Sequence, residues 1–300
     1  MGNRMAFKCR QLSLYTGGMR KPTGWPMLKR FFLILLFISL APLANAQDAT
    51  KVERLANLLH LQPMFDVMRQ EGITYGDDLD REMLGGAGGI GWQRAINEIY
   101  QPDRIWLTFL PAFKSGLKGA DIDAMIAFFE SDTGAKIAAL ELEARQALLD
   151  KTIENASKER FHALSEEGSE RMRLLNELVD ANDLVEFNVM SALNASYAFY
   201  TGMIQGRAFD PAPSDADVLK EVWAQEEEIR LDSTEWLYSY MLLAYEPLSD
   251  DDLRAYINFS ASKAGRALNA ALFAAYDGVT VNVSKALGLT AAQFMHGEDL

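Results

Sequence analysis

The sequence predicts an all-α protein, a multi-helix bundle built from two related helical halves after a cleaved signal peptide. Apolar residues recur at the i, i+3, i+4, i+7 spacing that places them on one face of a helix. One such stripe consists of Ile122, Met125, Ile126 and Phe129. Good helix formers dominate the stretches 136–160 and 215–229. No sustained alternation of apolar and polar residues, which would indicate a strand, interrupts this pattern.

The N-terminal region has the three parts of a secretory signal peptide. Lys29 and Arg30 precede the apolar run 31–40, and an Ala-x-Ala site ends at Ala46. The apolar run is too short to cross a bilayer as a helix, which takes about 20 apolar residues. These features predict export to the periplasm, with cleavage after Ala46, and a mature protein that is not integral to the membrane.

The start of the gene product is ambiguous, because Met27 stands directly before this signal. Residues 1–26 are interpreted as an over-extended N-terminus, with a long segment that is also removed as the alternative. The signal peptide is then 27–46. The two helical halves are predicted at 47–165 and 166–300, packed together as one domain.

Composition limits the partners that the mature chain can have. The whole sequence has 29 Lys and Arg and 42 Asp and Glu residues, and the first 46 residues hold seven of the basic and none of the acidic ones. The predicted mature chain therefore has a formal net charge near −20. Such a charge argues against nucleic acid and anionic lipid surfaces as partners. The sole cysteine, Cys9, lies in the removed segment, so no disulfide is expected.

Turn-forming residues predict where the helices begin and end. Breaks are predicted at 76–78, 85–91, 116–119 and 209–214. Ser214 and Ser249 are predicted to lie at helix starts, each followed by acidic residues that suit the positive end of a helix. Gly288 is predicted to close the last helix.

An internal repeat relates the two halves. Trp106-Leu107 matches Trp236-Leu237, and with one inserted residue 121–136 lies over 251–267. This overlay aligns three pairs of residues: Phe128 with Phe259, Ser131 with Ser262, and Gly134 with Gly265. The serine can cap the following helix, and the glycine allows a close approach. Both segments are therefore predicted to form helix–helix corners.

The string FFESDTGAK at 128–136 resembles the signature of an exported bacterial helical family, domain of unknown function 2059. The matching residues are Phe128, Phe129, Ser131, Gly134 and Lys136. In the second half Ala267 replaces the basic residue, so that half resembles a degenerate copy. The resemblance implies an all-α periplasmic protein and brings no activity with it.

Motifs that would bring catalytic chemistry lack the context that such chemistry needs. Residues 86–91 satisfy G-x-G-x-x-G, but the preceding segment is acidic and helical, whereas a dinucleotide site needs a strand there. Glu159 and His162 satisfy E-x-x-H without the second copy that a di-iron bundle requires. We predict no metal site and no cofactor, and we interpret 85–91 as a flexible loop.

Three functions remain open. The first is a non-enzymatic periplasmic protein that binds a small apolar or peptide ligand or an envelope component, which predicts an exposed apolar groove without a cluster of shifted pKa values. The second is a hydrolase with an Asp/Glu pair close together in a cleft. The third is a structural homo-oligomer with an apolar patch. A ligand is expected at the first corner, with Trp92 as part of a lid. The candidate binding residues are Phe128, Ser131, Gly134, Lys136 and Trp92.

Overall fold

The computed structural model describes residues 42–167 and 169–297, and within these ranges all regular structure is helical. The all-α prediction is confirmed. The helices, in chain order, are α1 Pro42–Leu58, α2 Leu61–Leu79, α3 Gly89–Ile99, α4 Pro102–Gly116, α5 Ile122–Phe129, α6 Asp132–Ala147, α7 Lys151–Glu167, α8 Glu170–Ala181, α9 Leu184–Gln205, α10 Asp215–Trp223, α11 Glu226–Ala244, α12 Asp250–Ser260 and α13 Lys263–Met295. A π-helical turn, Asp80–Leu84, continues α2.

Serine side chains cap several of these helices, as the sequence predicts. The Ser249 hydroxyl accepts a hydrogen bond from the backbone N–H of Asp252 at 3.1 Å, at the start of α12. At the start of α10, Ser214 and Asp217 satisfy each other's backbone N–H groups in a capping box. Each cap supplies an acceptor to a backbone N–H that has no partner within its own helix.

Two large cores hold the molecule together, and each one takes a helix from the other half of the sequence. The first core combines α1, α2, α4 and α5 with α13. The second core combines α8, α11 and α12 with α6. Of the helices that follow the two predicted corners, α13 therefore packs in the first core, and α6 packs in the second core while it also contributes Ala138 to the first. This arrangement explains in physical terms why neither half would bury its apolar faces alone.

A close helix crossing joins α9 and α13, and it corrects the prediction for Gly288. A Cβ on Gly288 would lie 2.0 Å from the backbone oxygen of Phe199, and one on Gly202 would lie 2.1 Å from that of Lys285. Gly288 therefore lies inside α13 and does not end it. The glycine is needed because two backbones meet there, a contact between distant segments that a local reading of the sequence does not detect.

The predicted break at 76–78 is also wrong, since α2 continues to Leu79. Gly76 is buried against α3: a Cβ there would lie 2.7 Å from the side chain of Ile96. Its carbonyl oxygen accepts a hydrogen bond from Trp92 Nε1 at 2.9 Å. As at Gly288, the glycine serves close packing and not a turn.

Other predicted breaks hold in shortened form. The glycine-rich segment is a turn over 85–88, after which α3 begins at Gly89. Breaks lie at 117–121 and at 206–214, close to their predicted places. The stretch 136–160 is helical apart from 148–150, and 215–229 is helical apart from 224–225.

The predicted signal peptide lies largely outside the described residues, and nothing structural is concluded about it. The predicted cleavage point after Ala46 falls within α1. Among the helices that the structure describes, none combines the length and apolar content needed to cross a bilayer.

Candidate functional site

The two corners predicted from the sequence have matching local geometry. The Ser131 hydroxyl accepts from the Gly134 N–H at 3.1 Å and caps α6. The Ser262 hydroxyl accepts from the Gly265 N–H at 3.0 Å and caps α13. Each serine has extended backbone dihedrals and is the N-cap residue of its helix.

The glycine at each corner is required by the backbone of the preceding helix. A Cβ on Gly134 would lie 2.0 Å from the carbonyl oxygen of Phe128. A Cβ on Gly265 would lie 2.1 Å from the carbonyl oxygen of Phe259. Because both obstacles are backbone atoms, a side chain at either position forces the corner itself to open.

The two corners also contact each other. The rings of Phe128 and Phe259 stack with centroids 4.0 Å apart and planes 6° from parallel. Phe129 meets Phe259 edge to face at 5.5 Å. The aromatic residues that the sequence overlay aligns therefore pack as a pair at the boundary between the two cores.

The first corner carries polar contacts that its counterpart cannot make. Lys136 Nζ donates to the carbonyl oxygen of Pro247 at 2.9 Å. The Thr133 hydroxyl and the carboxylate of Asp252 lie 2.7 Å apart. The aligned positions of the second corner are Ala264 and Ala267. Lys136 thus ties the start of α6 to the connection between α11 and α12.

Trp92, predicted to form part of a lid, is a core residue of α3. Its side chain is buried, and its ring packs edge to face on Phe294 with centroids 5.5 Å apart. Together with the Gly76 hydrogen bond, this contact fixes the tryptophan between α2 and α13. The structure does not bring Trp92 to the corner residues, and the ligand-binding role of all five residues stays a prediction.

Next to the paired corners lies a half-buried carboxyl group that the sequence did not single out. Glu141, on α6, accepts two hydrogen bonds through Oε1: one from the Tyr245 hydroxyl at 2.7 Å and one from the Tyr256 hydroxyl at 3.0 Å. The hydroxyl of Tyr240 donates to the Glu141 backbone oxygen at 3.2 Å. Three tyrosines, one in α11, one just after it and one in α12, therefore contact one residue of α6.

Burial changes the ionisation of this cluster. The pKa of Glu141 is raised because the charged form loses water, although the hydrogen bonds from Tyr245 and Tyr256 act in the opposite direction. Burial, reinforced by the charge on Glu141, raises the pKa of both tyrosines well above its usual range. The two phenols thus remain protonated hydrogen-bond donors throughout the neutral pH range.

Glu141 lines a cavity of about 90 Å³ between the two halves, partly open to solvent. We call it the Glu141 cavity. Its apolar walls come from six helices or their ends: Leu59, Phe129, Leu178, Leu184, Phe259, Leu268 and Leu272. Its polar lining comprises Glu141, Asn182, Tyr245, Tyr256, Ser260 and Asn269. The cavity is therefore amphipathic, with one carboxyl group among the described lining residues.

A second ionisable group on α6 is fully occupied by protein contacts. Arg145 binds the Glu71 carboxylate of α2 through two nitrogens, both at 2.7 Å. Its guanidinium carbon also lies 4.8 Å from the ring centroid of Trp236. This cluster joins α2, α6 and α11, and neither Arg145 nor Glu71 lines the cavity.

The E-x-x-H motif has a partner on another helix. His162 Nε2 lies 2.7 Å from Glu235 Oε1, so the histidine joins α7 to α11 at the surface. In the part of the chain that is described, no group of three His, Cys, Asp or Glu residues is placed to hold a metal ion.

Comparison with known proteins adds one finding. Residues 103–160 match a family of bacterial proteins. The family is described as an uncharacterized protein conserved in bacteria (DUF2059). The matched segment comprises α5, α6 and most of α4 and α7, and thus contains the first corner and Glu141. No curated protein and no solved structure matches the chain.

Sequence reasoning missed Glu141 because glutamate is common in this chain and no local motif marks it. A usable signal did exist in the overlay of the two halves. Glu141 follows Gly134 at the same distance as Leu272 follows Gly265, and both residues line the cavity. A charged residue aligned with an apolar, half-buried one is the mismatch that could have identified it.

Proposed function

We propose that this is a non-enzymatic periplasmic binding protein that holds a small amphipathic ligand in the Glu141 cavity. The observation that carries the proposal is the cavity itself, since apolar walls and a cluster of convergent polar groups are the usual features of a small-molecule site. An engineered apolar cavity of about 150 Å³ takes benzene. The Glu141 cavity is smaller, so it suits a group of about four non-hydrogen atoms.

The binding hypothesis predicted no cluster of shifted pKa values, so the cluster at Glu141 departs from it. The same cluster does not fit a hydrolase of the predicted kind either, because that enzyme needs two carboxyl groups in one cleft. Glu141 supplies one, and the other described lining residues supply none. The tyrosines stay protonated and bonded to Glu141, so they offer no base to complement it. Ligand binding therefore fits these contacts better than acid–base catalysis does.

The proposal includes an origin by duplication, with the second half as a divergent copy. The matching caps, the matching close approaches and the stacked phenylalanines support this origin. In this view the cavity lies where two related corners meet. At the aligned positions, α6 supplies the polar residue Glu141 and α13 supplies the apolar residue Leu272.

The test measures whether four-carbon probes enter the cavity. The full precursor is expressed in a bacterium and purified from the periplasm, and binding of n-butanol, n-butylammonium and butyrate is measured by ligand-observed NMR. The blocking variant is Leu272→Phe, which fills the cavity. The matched control is Leu243→Phe, a half-buried leucine in the groove between α7 and α11.

We expect at least one probe to bind both the native protein and the control variant. Binding of that probe should be lost in Leu272→Phe. Absence of binding by all three probes would overturn the proposal, as would equal binding to both variants. The denaturing mass of the same preparation tests export, because retention of residues 27–46 would contradict cleavage after Ala46.

A further inference from the structure

Two tyrosine hydroxyls and one N–H of each of two asparagine amides in the lining of the Glu141 cavity donate hydrogen bonds within the protein. Tyr245 and Tyr256 donate to Glu141. Asn182 Nδ2 donates to the Leu178 carbonyl oxygen at 3.0 Å, and Asn269 Nδ2 donates to the Asn182 carbonyl oxygen at 2.9 Å. Since a carbonyl oxygen requires a donor, these contacts also fix which atom of each amide is nitrogen.

The acceptors of the cavity, in contrast, are left without partners. Neither Glu141 Oε2 nor the side-chain oxygen of Asn182 or Asn269 has a hydrogen bond within the described structure. Asn182 is 8% exposed, and Ser260, which also lines the cavity, is 4% exposed. Among the described residues, Arg171 Nη1 is the one fully buried side-chain nitrogen or oxygen without a hydrogen-bond partner, so these three oxygens are reached from the cavity and are open to a donor from water or from a ligand.

The remaining lining favours a positive charge. Among the described residues that line it, the cavity has one carboxyl group, four aromatic rings and no Lys, Arg or His. Aromatic faces and a carboxylate both attract cations in a poorly hydrated site. The protein as a whole is acidic, with a formal net charge of −13 for the full sequence.

We infer that the Glu141 cavity recognises a primary ammonium group on a short alkyl chain, with the ammonium at Glu141 and the chain against Leu268 and Leu272. This inference rests on the proposed binding function and names its ligand class. The N–H groups of the ligand supply the donors that the free oxygens lack, and about three or four methylenes fill the apolar part. The same chemistry is offered by a free alkylamine and by a lysine side chain.

Binding of the ammonium is coupled to loss of a proton from Glu141. In the empty cavity burial favours the neutral acid, and a cation at Oε2 favours the carboxylate, so the proton leaves to solvent as the ligand enters. The titratable groups that interact with Glu141 are Tyr240 from α11, Tyr245 just after α11, Tyr256 from α12 and Tyr276 from α13. Arg145 lies four positions further along the helix of Glu141. None of them changes charge between pH 5 and 8, because each pKa is raised, so Glu141 alone sets the pH dependence.

The experiment ranks isosteric probes on the native protein by ligand-observed NMR. We expect n-butylammonium to bind at least about tenfold more tightly than n-butanol, with butyrate not bound. Its affinity should rise from pH 5 to pH 8, because fewer Glu141 side chains then need to release a proton. In Glu141→Gln the affinities for n-butylammonium and n-butanol should differ by less than about threefold.

Binding of n-butanol or butyrate as tight as that of n-butylammonium would overturn the inference while leaving the proposed function standing. If none of the three probes binds, the proposed function and this inference both fail.

Tetramethylammonium, which has no N–H donor, should bind more weakly than n-butylammonium, and equal binding would assign recognition to the aromatic rings instead. Competition by Nα-acetyl-lysine amide would identify a lysine side chain as a possible source, and its failure would restrict the ligand to free amines. If Glu141→Gln does not fold, the probe ranking on the native protein still decides.

Discussion

The corner between α5 and α6 and the corner between α12 and α13 share a backbone but differ in chemistry. Both have a serine cap, a glycine against a carbonyl oxygen and a stacked phenylalanine. Beyond the glycine the first corner continues into Lys136 and Glu141, and the second into Ala267 and Leu272. The shared residues build the geometry, while the residues that differ line the cavity or add a contact. Similarity therefore marks structure here, and difference marks the candidate site.

The largest expected effect tests whether the two glycines are equivalent. Gly134→Ala and Gly265→Ala should each destabilise the protein by about 3 kcal/mol, because the new methyl group meets a backbone oxygen at 2.0 or 2.1 Å. Chemical denaturation measures the free energy of unfolding. The matched control is Gly278→Ala in α13, where a Cβ has nothing within 4 Å.

The control should instead stabilise by about 0.5–1 kcal/mol, since alanine is the better helix former. A loss of stability in Gly278→Ala as large as in the corner variants would mean that the close approach is not the cause. Unequal effects at Gly134 and Gly265 would show that one corner is looser than its geometry indicates.

The next effect tests whether the corners depend on each other. Phe128→Ala and Phe259→Ala should each cost about 2–3 kcal/mol, as both rings are half-buried and stacked. In a double-mutant cycle the pair should show a coupling energy of about 0.5–1.5 kcal/mol. The control cycle combines Phe128→Ala with Phe294→Ala, which packs on Trp92 in a separate core. Additive losses in the first cycle would contradict an energetic link between the corners.

Features that depend on local sequence could be predicted, and features that depend on distant contacts could not. The helical class, the caps at Ser131 and Ser262 and the corner glycines all follow from neighbours along the chain. The packing of α13 in the first core and of α6 in the second does not. Gly76 and Gly288 were interpreted as helix ends because a glycine's role in close packing depends on the helix that crosses it.

The candidate site could not be predicted either, because its residues are also brought together by contacts between distant segments. Tyr245 and Tyr256 are separated from Glu141 by 104 and 115 positions in the sequence. Asn269 reaches Asn182 across 87 positions. No periodicity or motif connects such residues, and without their contacts Glu141 is one of many acidic residues on a helix.

The smallest expected effect separates the corner from the cavity as the site of binding. Lys136→Glu removes an exposed hydrogen bond to Pro247 and places a like charge near Asp252, so the loss of stability should stay below about 1 kcal/mol. Lys136 does not line the Glu141 cavity, and probe binding should therefore be unchanged. Ligand-observed NMR with n-butylammonium measures probe binding.

Lost binding with retained stability would place the ligand at the corner, where the sequence predicted a binding site. Lys136→Ala, which copies the second corner, then distinguishes a lost positive charge from an added negative one.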